Sequence, residues 1–157
     1  MAVIHHSAIC VRDVEASLRF WRDGLGFQVL MDRRFAGDWP TLLRAPSSEL
    51  RAVFLGDPAD PAAGIVELVD LGEVPEGSPS ETAATATSGF LLLSVTTDLD
   101  AALDRLRDLD LGGTPRRIDV MGVAMAVVVD PDGVQVELVD NAAARNLAAL
   151  TEKGPSS

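Results

Sequence analysis

The chain has 157 residues, 47% hydrophobic and 24% charged, which is enough to bury a core in one domain or two fused small modules and too apolar for wholesale disorder. Its 24 acidic and 13 basic side chains leave a net charge of −11 with no basic segment, so nucleic acid and an anionic membrane surface are excluded as expected partners. No apolar run approaches the roughly 18 residues of a membrane-spanning helix, the N-terminus lacks a secretory pattern, and Cys10 stands alone, so no internal disulfide can form and a cytoplasmic setting is expected.

The first predicted element is an apolar strand over Val3 to Val11. Asp13 follows as a helix N-cap, because its carboxylate can accept from the free N–H groups of the first turn. Val14, Leu18, Trp21 and Leu25 then recur at helical spacing as one stripe, and Gly24 and Gly26 can end the helix. Strands are predicted at Phe27–Phe35, Leu50–Leu55 and Ile65–Val69, with a short helical turn over Asp38–Ala45. Gly72–Ser88 is rich in small residues and Pro, carries Glu73, Glu76 and Glu81 with no base, and reads as a linker.

The same order then recurs. Gly89–Val95 is strand-like, and Asp98 can cap a helix striped by Leu99, Ala102, Leu103, Leu106 and Leu109, which Gly112 and Gly113 end. Strands are expected at Arg116–Val120, Val123–Val129 and Val134–Val139, the last two joined by the turn Asp130-Pro-Asp-Gly133. A short helix over Ala142–Leu150 is expected in the tail. The organisation predicted is α+β: a βαβββ module at 1–71, a linker at 72–88, a second βαβββ module at 89–140 and a tail at 141–157.

Strand alternation directs the polar side chains. His6, Ala8 and Cys10 share one face of the first strand. Ile9 and Val11 share the other, more apolar face, which is expected to lie against the helix. Val66-Glu-Leu-Val-Asp70 and Val136-Glu-Leu-Val-Asp140 are identical, the clearest internal repeat in the chain. Each sets a carboxylate, Glu67 or Glu137, inside an apolar strand, where an unpaired charge is costly. Pairing with arginine, exposure at an edge, or a metal would each account for it. Two such carboxylates at equivalent places, with His6 on a matching face, point toward a shared site.

His5-His6-Ser-Ala-Ile-Cys-Val11-Arg-Asp13, Ser17-Leu-Arg-Phe-Trp21 and Leu25-Gly-Phe27 resemble the opening of the vicinal oxygen chelate superfamily, the group of glyoxalases, bleomycin-resistance proteins and extradiol dioxygenases. Asp130-Pro-Asp-Gly133 followed by Gln135-Val-Glu137-Leu resembles its closing strand. The resemblance implies two tandem βαβββ modules forming a curved mixed sheet around a cavity. It also implies metal ligands at His6, Glu67 and Glu137, with Glu137 or Glu67 as the proton-transfer base. The family's remaining ligand position, counted five residues before Val95, falls on Phe90, which offers no donor.

One imidazole and two carboxylates suit Mn²⁺, Mg²⁺, Co²⁺, Ni²⁺ or Zn²⁺. The function expected from the resemblance is a metal-dependent lyase or isomerase of glyoxalase type. It would abstract a proton next to a carbonyl on a small vicinal-oxygen substrate. The alternative is a metal-free small-molecule (drug) binding or resistance protein of the same fold. Phe90, Trp39 and Gln135 are the candidate substrate-binding residues, and a homodimer is expected.

Overall fold

The structure, a computed structural model, describes residues 1, 2, 4–62, 64–77, 86 and 88–142. The chain divides into two compact units, Met1–Ser78 and Pro79–Ser157. Most of the expected linker and nearly all of the expected tail helix lie outside the described residues.

In the first unit, β1 (His6–Cys10) leads to α1 (Val14–Leu18), which continues as a π-helix through Arg19–Gly24. Asp13 caps α1, accepting from the N–H groups of Glu15 and Ala16. The widened turn shows in the Leu25 N–H, which donates to the Phe20 carbonyl at 3.0 Å. Gly26, at φ +85°, then lets the chain leave the helix. After β2 (Gln28–Ala36) comes α2 (Trp39–Leu43), capped by Asp38 as expected, then β3 (Glu49–Gly56) and β4 (Ile65–Asp70). The sheet order is β1-β4-β3-β2, with β1 parallel to β4 and the other pairs antiparallel.

The second unit has the same plan: β5 (Leu93–Thr97), α3 (Leu99–Asp108), β6 (Gly112–Val120), β7 (Val123–Val129) and β8 (Gln135–Asp140), in the order β5-β8-β7-β6 with β5 parallel to β8. It has no helix between β6 and β7 to match α2; a tight turn at Met121 and Gly122 joins these strands. The Asp130 carboxylate accepts from the N–H groups of Asp132 and Val134, and Gly133 takes φ +85°, so the expected turn into β8 forms.

Two boundaries differ from expectation. β5 begins at Leu93 rather than Gly89. Gly89 sits at φ +121°, outside strand geometry, and the pairing with β8 opens at Leu93 opposite Val136. β6 begins at Gly112 rather than Arg116, with a register irregularity between those two residues. Pro115, which lacks an N–H, is tolerated there because β6 is an edge strand.

Each sheet packs one face against its long helical segment, α1 with its π-helical continuation in the first unit and α3 in the second. In the first unit Ile9, Val53, Leu55, Val66 and Leu68 meet Leu18, Phe20 and Trp21 in the core. In the second, Ala126, Val128, Val136 and Leu138 lie with Leu99, Ala102 and Leu106. The alternation puts His6 and Glu67 on the other face of the first sheet, where Trp39 of α2 packs on Leu50, Ala52 and Val69, and puts Glu137 on the face of the second sheet away from α3.

Candidate functional site

The parallel pairing of β1 with β4 sets Ala8 opposite Glu67, so His6 stands two residues along on the same face. The imidazole reaches across to the carboxylate, with His6 Nε2 3.0 Å from Glu67 Oε2. Only 15% of the Glu67 side chain is exposed, against 36% for His6. Burial pushes the Glu67 carboxyl above its ordinary value, and the charges of His6 and His5 pull it part of the way back. Phe54, the β3 partner of Glu67, completes the surround, with its ring centroid 5.6 Å from that of His6.

The second ring nitrogen of His6 is also engaged, its Nδ1 lying 2.8 Å from Nδ1 of His5. If His5 donates in this contact, His6 is left to present Nε2–H to the carboxylate. If His6 donates, the Nε2 lone pair and the carboxylate oxygen face each other across 3.0 Å. That spacing is the edge between neighbouring ligands of an octahedral ion with bonds of about 2.1 Å. The pair is thus either hydrogen-bonded or two neighbouring donors that could hold a divalent ion, with the His5 ring on the far nitrogen of His6. Among the described residues no group of three or more His, Cys, Asp or Glu side chains is gathered where it could hold a metal ion.

In the second unit Glu137 lies opposite Ser94, whose hydroxyl donates to Glu137 Oε2 at 2.7 Å. The register also fixes which residue takes the place of His6. Ala8 corresponds to Ser94, so His6 corresponds to Leu92; the count from Val95 that pointed at Phe90 is two residues too long. The slip lies in the anchor: by this register Val95 matches Ile9, not Val11. Leu92, like Phe90, offers no metal donor.

Phe90 lies outside β5 and is 74% exposed. Trp39 belongs to the first unit, where its ring packs on Leu50, Ala52 and Val69 and its Nε1–H donates to the Phe35 carbonyl at 3.2 Å. Gln135 shares a face with Glu137; its Oε1 accepts from Arg116 and its Nε2–H donates to the Leu91 carbonyl. The sequence singled out neither Phe54 nor Ser94. Both are cross-strand partners, and only the register reveals them.

Residues 3–138 match the family described as the glyoxalase/bleomycin resistance protein/dioxygenase superfamily. The lactoylglutathione lyase-like protein terB of Aspergillus terreus is 32% identical over 145 residues, covering 87% of this chain and 74% of that protein. Among solved structures, the trypanothione-dependent glyoxalase I of Leishmania major aligns with a TM-score of 0.66 at 23% identity, covering 98% of this chain and 96% of that one. A glyoxalase family protein from Bacillus cereus aligns at 0.70 with 15% identity, covering 89% and 94%. At these identities the two structures speak for the fold alone.

Proposed function

The chain belongs to the glyoxalase/bleomycin resistance protein/dioxygenase superfamily, and from there we propose that it is a metal-dependent lyase or isomerase of glyoxalase type, abstracting a proton next to a carbonyl on a small vicinal-oxygen substrate. The observation that carries this reading is the His6–Glu67 pair, two donor atoms 3.0 Å apart on the sheet face away from α1. His6 and Glu67 would hold a divalent ion (Mn²⁺, Mg²⁺, Co²⁺, Ni²⁺ or Zn²⁺), and Glu137 is kept as the further ligand that the family resemblance implies. When bound, the ion supplies Lewis-acid stabilisation of negative charge beside a carbonyl.

The chain's own residues do the rest. His5 holds the ring of His6. Glu137 takes the substrate proton, with Glu67 the other candidate, since burial raises its affinity for a proton. Phe54 and Phe90 supply apolar surface, and Trp39 and Gln135 are carried as binding residues.

Calorimetry on chelator-treated protein tests the reading with Mn²⁺, Co²⁺, Ni²⁺ and Zn²⁺. Uptake of about one ion per site, abolished by His6→Ala, is expected; a protein that ignores all four ions overturns it.

A second reading is favoured by Leu92, which puts an apolar side chain where the first unit has an imidazole. It makes the chain a metal-free small-molecule binding or resistance protein, with His6 and Glu67 satisfying each other. Thermal stabilisation by a cationic drug without metal uptake is its signature.

A further inference from the structure

In the first unit carboxylates take up Arg12, Arg22 and Arg51, which pair with Glu76, Asp23 and Asp32. Arg33 and Arg34, neighbours in β2, have no hydrogen bond or ion pair among the described residues. Register sends them to opposite faces of the sheet. Arg34 stands opposite Arg51, which reaches Asp32 and Glu15 of α1. Arg33 stands opposite Ala52, on the face of His6 and Glu67. Among the described strand residues of this unit, Arg33 is the one charged side chain on that face apart from the His6–Glu67 pair. Apolar surface lies between. Phe54 is opposite Glu67, and Arg33 is its diagonal neighbour across β2 and β3. Trp39 packs on Ala52, the residue level with Arg33. Two strand spacings and a two-residue step put the Cα atoms of Arg33 and Glu67 about 12 Å apart.

From this arrangement we propose that Arg33 is an anion-binding residue, and that the ligand of this face carries a carboxylate on an apolar body. The carboxylate meets the guanidinium and the body lies over Phe54. A guanidinium with no carboxylate of its own presents its N–H fork, which matches an incoming carboxylate with two parallel charge-assisted hydrogen bonds. Glu67 is half of a pair that already contains an imidazole and is mostly buried, so the exposed charge on this face is positive. The inference rests on this face being the binding face, and not on the ion. It holds for the metal-dependent enzyme and for the metal-free binder alike, and for the binder it puts an anionic ligand in place of a cationic drug.

Calorimetry on the chelator-treated full chain tests it with phenylacetate, phenylacetamide and phenethylammonium, probes of similar shape that are anionic, neutral and cationic. Wild type, Arg33→Met and Arg34→Met are compared. Methionine keeps an apolar stem and removes the charge, and both arginines are exposed, so the circular dichroism spectrum should not change. Wild type should bind phenylacetate roughly tenfold more tightly than phenylacetamide. Arg33→Met should erase that preference and leave the amide as it was, while Arg34→Met, which removes the same charge from the other face, should keep it. Phenylacetate bound no better than the amide overturns the inference, as does a preference that survives Arg33→Met or is lost equally in Arg34→Met, since the charge of the chain as a whole then decides. Tightest binding of phenethylammonium overturns it in favour of the cationic ligand. Binding of none of the three overturns it as well. Each of these failures leaves the metal uptake expected of the proposed function standing, because that is measured separately with the ions alone.

Discussion

Glu67 is stabilised less by its charge than it is penalised for burying it. Its carboxyl is pushed up chiefly by burial, and the opposing pull of His6 is the smaller effect. The native state thus holds this proton more tightly than the unfolded chain does. Through this group stability is greatest at low pH and falls as pH rises above the ordinary carboxylate value. Glu67→Gln keeps the shape and removes the charge, so metal-free Glu67→Gln should melt no lower than wild type at pH 7 and lose the decline, while Mn²⁺ uptake disappears. Melting curves of both proteins between pH 4 and 8 check this; a Gln variant that is less stable at pH 7 would show that the pairing with His6 outweighs burial. Asp32 has the opposite sign. The Arg51 guanidinium grips it with Nε and a terminal nitrogen at 2.9 and 2.7 Å and holds its carboxyl below the usual range. That contribution is present at neutral pH and is lost as pH falls through the lowered value.

At the level of elements, side chains outside the site place the strands that carry it. Asp13 accepts two N–H groups at the start of α1, and Asp98 accepts one at the start of α3. Asp13→Ala should cost about 1 kcal/mol in urea unfolding. Helix α2 is tied to the first sheet by Trp39, whose ring packs on β3 and β4 and is pinned to the Phe35 carbonyl. Gly37 lies beneath that ring, and a Cβ there would stand 3.1 Å from Trp39 Cε2. Gly37→Ala should therefore destabilise by about 1 kcal/mol through crowding, and Trp39→Ala by about 2 kcal/mol through lost packing. Because the crowding needs the ring, the double variant should be more stable than the sum of the two costs implies. Additive costs in a double-mutant cycle would place the strain elsewhere.

Across the whole molecule the repeat was legible because each half encodes the same signals: an aspartate cap, a helical stripe and the fragment Val-Glu-Leu-Val-Asp. Alternation alone put His6 and Glu67 on one face. Partners set by register stayed hidden, since Ser94 reaches Glu137 and Phe54 stands opposite Glu67 across strands, and since only the register shows that Val95 matches Ile9 and so moves the place of His6 from Phe90 to Leu92. The same scale bears on assembly. Strand β6 is an edge of its sheet, and Ile118, Val120 and Met121 at its end are large, apolar and exposed. An exposed apolar edge strand invites pairing with another chain unless it is covered. A second copy would cover it with a self-complementary contact, which is the commonest symmetric solution. Light scattering should then give twice the chain mass of 16.6 kDa. Ile118→Lys combined with Val120→Lys should shift the protein to the single-chain mass without lowering its helix content, because neither side chain lies in the core. A wild-type protein that runs at the single-chain mass at every concentration removes the case for the dimer. A lysine variant that stays dimeric moves the interface away from β6.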